Sequence, residues 1–393
     1  MTSHPTVVVV GGGLAGLRTI EELRARGHRG AITLIGAEAR PPYDRPPLSK
    51  KLMTGELDDT SLRADLDSLE VSLQLSETAT ELGPGVLGTD AGEYRFDALV
   101  IATGALPVRL PGAGPQHVLR TMEEALALRT QLRPGTRLSI VGAGWIGAEL
   151  ATAARARGCA VTVLEAASTP LAAAVGGEVG SITADWYAEA GVELRLGQKV
   201  ESIEEGGIAL AGGEWEAADV VVTAVGVRPA VAWLDGSPVR LENGVAVDGQ
   251  LRSSMPGVFA VGDCASFWSA RFGRRLRFEH WDVALHAPEA AAANVLGDSV
   301  EYDPVPYFWS EQFGRMVQYV GWHTDADQLI WRGDPRADTK WAAAWLAGGR
   351  LTAMLTVSSP RDLLQARRLI EAGARVDAAT LADPAVAVRD CAV

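Results

Sequence analysis

Cysteine is scarce and scattered. The three present, Cys159, Cys264 and Cys391, stand far apart in the chain, so there is no CxxC or CxxxxC redox pair and no closely spaced set of thiols for a structural zinc. They read as ordinary reduced thiols. Positive charge is also in short supply: 36 Lys and Arg against 49 Asp and Glu give a formal net charge of -13. Such a balance repels phosphate backbones and anionic lipid, which argues against nucleic acid or a membrane surface as the main partner. No apolar run reaches the roughly eighteen residues of a membrane helix, and no basic segment leads into an apolar core near Met1. The expectation is a cytoplasmic protein.

What is present is enough for several domains. At 393 residues the chain exceeds one hydrophobic core, and domains of roughly 100 to 200 residues make it two or three. With 47% hydrophobic and 22% charged residues, the composition is that of an ordinary globular protein and excludes disorder. Short β-branched runs at residues 7–10, 32–35, 99–101, 138–141, 161–164, 220–223 and 258–261 alternate with alanine-rich stretches, two of which, 20–26 and 149–157, follow glycine clusters. That alternation predicts an α/β fold with parallel sheets and crossover helices. From about Val305 the texture turns aromatic, in YFWSEQFGRMVQYVGWH and WAAAWL, and ends in a predicted helix at 362–372. This predicts a third, smaller α+β domain.

Gly11, Gly13 and Gly16 follow the first strand, and Glu38 stands about twenty residues on, after the second. In such a fingerprint the first glycine turns tightly, the second lets backbone approach a pyrophosphate, and the third packs helix on sheet. The helix N-terminus then offers its free N–H groups and dipole to the phosphates, and the acid accepts hydrogen bonds from a ribose. A second fingerprint lies in SIVGAGWIGAELA, with Gly142, Gly144 and Gly147, and Glu165 closes the following strand VTVLE. A carboxylate there pairs with the adenosine 2'-hydroxyl and repels a 2'-phosphate, and Ala166 and Ala167 supply no arginine to welcome one, so NADH is expected rather than NADPH. The competing reading of Glu165 is a surface acid at a strand end.

Two fingerprints do not say which cofactor sits where. DALVIATG, residues 97–104, and SSMPGVFAVGD, residues 253–263, add an apolar strand that delivers Gly262 and Asp263 at its end. Alone, Gly-Asp is a turn signal. Behind an N-terminal fingerprint and an ATG strand, Asp263 suits the ribityl hydroxyls of FAD, which NAD lacks. FAD is therefore assigned to the first fingerprint and NADH to the second.

The succession GGGLAG, PYDRPPLSK, ATG, GAGWIGAE, GVRP, AVGDCA, EHWDVA and PYFWSEQFG, running out to LADPAVAV, covers essentially the whole chain. It resembles the putidaredoxin reductase-like family, the FAD-containing, NADH-dependent ferredoxin reductases of oxygenase and cytochrome P450 systems, and more distantly apoptosis-inducing factor. PYDRPPLSK and FWSEQ are its specific elements. The resemblance implies two Rossmann-like dinucleotide-binding domains plus a C-terminal α+β domain: an FAD domain at 1–110 and 232–304, an inserted NADH domain at 111–231, and a C-terminal interface domain at 305–393.

The resemblance also implies residue roles. Ala15, Glu38 and Lys50 contact the flavin cofactor, with Arg45 of the same motif, Thr103 and Gly104 of ATG, and Gly226 of GVRP in the cofactor-binding set. Arg120 matches an arginine near the pyrophosphate, Ala79 a backbone contact to the adenine, Asp263 the ribityl ligand, and Trp281 a residue packed on the isoalloxazine. Lys50 and Glu149 resemble an ion pair between flavin and nicotinamide. Their competing readings are a solvated lysine beside Lys51 and a first-turn helix acid stabilised by the dipole. Trp309 is equally a core aromatic. Two departures stand out: Glu311 replaces the usual aspartate of the aromatic motif, and Pro288 stands where a glycine commonly follows EHW, which kinks that helix or marks its start.

The chemistry expected is hydride transfer from NADH to FAD, then single-electron transfers to a small ferredoxin, with no side chain acting as nucleophile or proton relay. The missing cysteine pair removes a disulfide reductase, and the lack of any cysteine before Cys159 removes a peroxidase with one flavin-facing thiol. Arg271, Arg274, Arg275 and Arg277, with Arg315 further on, form a basic patch in an acidic chain. They are read as a landing site for an acidic iron-sulfur protein or as a solvated arginine loop. An NADH oxidase and a redox-sensing interaction protein share these motifs, and monomer or homodimer is left open.

Overall fold

Four consecutive valines leave residues 7–10 no polar face, and in the computed structural model, which describes residues 4–393, they form the middle strand of a five-stranded parallel sheet. Parallel strands covered on both faces need such apolar runs. The sheet runs Val258–Ala260, Ala98–Ile101, Val7–Val10, Ile32–Gly36, Val71–Leu75, with Val7 level with both Ile32 and Ala98. It is the centre of one compact unit, built from the N-terminal segment through Asp44, Thr60–Leu106 and Arg228–Pro304.

Two helices of this unit, Leu14–Ala25 and Trp281–Val295, pack against each other. The second helix buries small side chains on most of its faces, Ala287, Ala290, Ala291, Ala292 and Ala293 among them, which lets neighbouring elements approach closely. Pro288 lies inside the second helix, so it does not mark the helix start as one reading expected. Lacking an N–H, it leaves the carbonyl four residues back without the usual helical donor. The unit also holds two three-stranded sheets: antiparallel Ala79–Gly83, Val86–Thr89, Glu93–Arg95, and mixed Val245–Val247, Ala265–Ser269, Arg274–Leu276.

The other unit gathers Arg45–Asp59, Pro107–Val227 and Val305–Val393. Its parallel sheet runs Glu193–Leu196, Ala160–Glu165, Arg137–Val141, Val220–Thr223. Its larger antiparallel sheet runs Tyr307–Gln312, Arg315–Gly321, Arg350–Val357, Trp341–Ala347, Gln328–Arg332. Strand alternation divides WAAAWLA between two cores. Ala342, Ala344 and Leu346 meet Leu363, Ala366 and Ile370 of helix Pro360–Glu371. Trp341, Ala343 and Trp345 meet Val175, Val179, Ile182 and Trp186 of helix Ala172–Glu189. That helix, which bends through the non-helical Gly176 (φ 80°), ties 107–227 and the C-terminal sheet into one body.

No helix among the described residues is long and apolar enough to cross a membrane.

Candidate functional site

Each glycine fingerprint folds into a cradle of the same form. At Gly11 (φ 122°) and Gly142 (φ 107°) an added Cβ would run into the carbonyl oxygens of Ala102 and Ala224, so the backbone of the neighbouring crossover loop requires glycine. At Gly16 and Gly147 a Cβ would strike the carbonyl of the first glycine, Gly11 or Gly142, and helix packing depends on its absence. Gly13 and Gly144 differ: nothing lies within 4 Å of a Cβ at either. Open space in front of a helix N-terminus, with free N–H groups behind it, is what a pyrophosphate needs. The helices start at once, as Leu14–Ala25 and Trp145–Ala156, capped by Gly13 and Gly144 without a side-chain hydrogen bond.

Around the first cradle, in one unit, Glu38 accepts a 2.5 Å hydrogen bond from the Tyr43 hydroxyl, and its own carbonyl accepts from Ser76 N–H. Thr103 donates to the Ala230 carbonyl at 2.8 Å and Gly104 accepts from Ala230 N–H at 2.9 Å, which fixes the ATG turn. Gly262 (φ 71°) lies against Ala15, a Cβ there being 3.2 Å from the alanine methyl, so the Gly-Asp turn sits on the first turn of the fingerprint helix. Asp263 is buried and its carbonyl accepts from Arg277 at 3.1 Å. Trp281 opens its helix and donates from Nε1 to Asp44 at 2.7 Å. Before it, His280 stacks on Phe278 at 5.2 Å, and burial pushes its pKa down to about 4 against the raising effect of Asp263. Ala79 is buried on the small antiparallel sheet.

Around the second cradle, in the other unit, Glu165 accepts from Ala143 N–H through Oε2 and from Ala167 N–H through Oε1, each at 2.8 Å. Gly226 (φ 104°) has open space beside it, and its carbonyl accepts from Val108 N–H at 3.0 Å. Arg45 donates to the Arg120 carbonyl at 2.6 Å, and Glu124, of the Thr121 capping box, accepts from Arg120 N–H at 3.0 Å, so two arginines far apart in sequence share one site.

In this unit too, Lys50 Nζ stands 2.8 Å from Glu149 Oε2, and the carboxylate is only 4% exposed. Glu149 is the fifth residue of Trp145–Ala156, past the first turn, so the dipole-stabilised first-turn acid is not its position. Ser49 and Ser310 also hydrogen-bond to it, at 2.5 and 2.6 Å. These serines, with Tyr43 and Asp44, are partners that residue-by-residue reading missed, although all four stand in the two motifs singled out as specific. Trp309 is half-buried and stacks on Tyr307 at 6.1 Å.

The arginine patch is less open than its sequence suggests. Arg275 donates to the Val247 and Ser266 carbonyls at 2.6 and 2.5 Å. Arg277 is 10% exposed and pairs with Glu279 at 2.8 Å. Arg315 pairs with Glu189 at 2.6 Å and lies over Trp186 at 4.9 Å. The three cysteines are free and buried.

Residues 5–287 match the family model for pyridine nucleotide-disulphide oxidoreductases, and 307–392 match the reductase C-terminal model. The chain is 35% identical, over 98% of either sequence, to the ferredoxin–NAD(+) reductase component of the p-cumate 2,3-dioxygenase system of Pseudomonas putida. The crystal structure of Fdr9 superposes with a TM-score of 0.94 at 49% identity, covering 98% of this chain and 99% of that one. The reductase in a covalent putidaredoxin reductase–putidaredoxin complex gives 0.94 at 28% identity, covering 99% and 98%.

Proposed function

Because the chain belongs to the pyridine nucleotide-disulphide oxidoreductase family and carries its reductase C-terminal domain, we propose that it is an FAD-containing reductase that passes electrons from NADH to a small ferredoxin serving an oxygenase. The observation that carries this reading is the doubled cradle: the same three-glycine geometry, once in each unit, each followed by its own carboxylate, Glu38 or Glu165. The ferredoxin as acceptor follows the relatives, and three separately buried cysteines offer no dithiol to take its place.

FAD, when bound, supplies the step from a two-electron donor to one-electron release. The chain's residues bind and orient. Gly11, Gly13, Ala15, Gly16, Glu38, Arg45, Lys50, Ala79, Thr103, Gly104, Arg120, Gly262, Asp263 and Trp281 are assigned to FAD, as the resemblance implies. Gly142, Gly144, Gly147, Glu165 and Gly226 are assigned to NADH. Lys50 and Glu149 are the pair whose charge and position tune the transfer. The domain reading keeps FAD on 1–110 and 232–304, NADH on 111–231 and an interface domain on 305–393, whereas the compact units group 45–59, 107–227 and 305–393 together. Arg271, Arg274, Arg275 and Arg277 are offered as the ferredoxin landing site.

The test is NADH-driven reduction of a panel of two-iron, three-iron and four-iron ferredoxins, read against oxygen consumption. Rapid turnover with at least one ferredoxin, and slow oxygen uptake without it, is expected. Fast oxygen uptake with no protein acceptor identifies an NADH oxidase instead, and a long-lived reduced complex that turns over with no ferredoxin identifies a redox sensor. Either result overturns the proposal.

A further inference from the structure

Strand Tyr307–Gln312 and helix Trp145–Ala156 meet along a matched spacing. Phe308 packs edge-on against Trp145 at 4.5 Å, Ser310 Oγ donates to Glu149 Oε1 at 2.6 Å, and Phe313 N–H, just past the strand, donates to Thr152 at 3.0 Å. Two strand residues advance about 6.6 Å and four helical residues about 6 Å, so alternate strand positions keep step with one face of the helix. Within FWSEQ the alternation turns Ser310 and Gln312 inward, both fully buried, while Glu311 is exposed.

Three groups hold the Glu149 carboxylate. Oε2 receives Lys50 and Ser49, whereas among the described residues Oε1 receives Ser310 alone. Ser310 is itself oriented, because its oxygen accepts from Gln312 Nε2 at 3.1 Å, which turns its proton toward Glu149. Removing Ser310 would free the carboxylate to rotate about its last bond and would leave a buried oxygen without a donor.

We propose that Ser310, set by Gln312, is a positioning residue: it fixes the rotation of the Glu149 carboxylate and so the place of the Lys50 ammonium. This rests on the reading above that the Lys50–Glu149 pair tunes transfer between the cofactors. The function of the FWSEQ motif is then carried by its inward serine and glutamine rather than by its tryptophan.

The experiment uses the FAD-loaded protein and four variants: Glu149→Gln, Ser310→Ala, Ser310→Cys and Ser310→Thr. Anaerobic flavin reduction at saturating NADH should slow about tenfold in Ser310→Ala, the usual effect of losing one hydrogen bond to a charged group, and should recover in Ser310→Thr. Affinity for ADP-ribose, which lacks the nicotinamide, should not change. The infrared carboxylate band identified by subtracting the Glu149→Gln spectrum should move in Ser310→Ala and return in Ser310→Thr. Should the alanine variant fail to fold, Ser310→Cys keeps the volume with a weak donor and reads the same loss. If Glu149→Gln is slow while the folded alanine or cysteine variant reduces its flavin at the wild-type rate, the role of Ser310 is overturned. If Glu149→Gln itself is as fast as wild type, the reading of the pair fails instead.

Discussion

Glu165 closes back on the fingerprint it serves, its Oε2 accepting the Ala143 amide at 2.8 Å. Ala143 lies between the first two glycines of that fingerprint, so one carboxylate shapes the loop and, on the proposed reading, also repels a 2'-phosphate. Its two roles are separable. Glu165→Gln keeps an acceptor for Ala143 and removes the charge, and should relax selectivity toward NADPH with a small loss of NADH binding. Glu165→Arg also strips the acceptor from both amides, and should weaken NADH by about 1.5 to 3 kcal/mol. Ratios of kcat/KM for NADH and NADPH check this, and an unchanged preference for NADH in both variants rules the role out.

The fingerprints and strand cores were readable from sequence because four-residue valine and leucine runs leave few other options. The helix starts were not. Both helices begin directly at the second glycine, with no Ser, Thr or Asp cap to signal it, so the alanine-rich part alone was legible and the expected starts fell at Ile20 and Glu149. Strand alternation in YFWSEQ does mark Ser310 as inward. Its partner Glu149 lies 161 residues away, and no local pattern carries that distance. Arg275 and Arg277 were read as part of an exposed arginine patch, either a landing site or a solvated loop, whereas the short strand Arg274–Leu276 aims Arg275 at backbone carbonyls.

The glycines in one cradle should respond differently to the same small change. Gly11→Ala adds a Cβ against the Ala102 carbonyl at φ 122°, and should destabilise the fold by more than the about 1 kcal/mol of an unfavourable backbone conformation alone. Gly13→Ala meets nothing within 4 Å, so the protein should fold and melt normally yet retain FAD poorly, because the methyl occupies phosphate space. Bound flavin absorbance and apoprotein melting decide it. Full FAD occupancy in Gly13→Ala would remove the pyrophosphate from that position.

Acid should weaken the fold through His28, which is buried beside His4. Burial first, then Arg24 and His4, hold its pKa below the ordinary 6.5. Between the lowered value and 6.5 the unfolded chain binds a proton that the folded chain excludes. The neutral ring therefore adds no penalty above pH 6.5, and stability falls as the pH drops through that value. Urea unfolding of wild type and His28→Gln between about pH 5 and about pH 7.5 should show a shallower decline in the variant. Parallel curves would place the acid sensitivity elsewhere.

Charge reversal should divide the arginine hairpin in two. Arg271 is exposed and Arg274 half-buried, at the mouth of the turn between Ala265–Ser269 and Arg274–Leu276. Arg275 and Arg277 are bonded to the carbonyls of Ser266 and Asp263, beside the Gly262–Cys264 turn. Arg271→Glu with Arg274→Glu should slow reduction of an acidic ferredoxin by about tenfold at low salt and flatten its salt dependence, since steering acts mainly on encounter. Reduction of ferricyanide, which needs no docking surface, should persist. Arg277→Glu should instead lower melting temperature and flavin occupancy, by setting a carboxylate against the Asp263 carbonyl. If the double reversal leaves both the ferredoxin rate and its salt dependence unchanged, the landing site lies on another face.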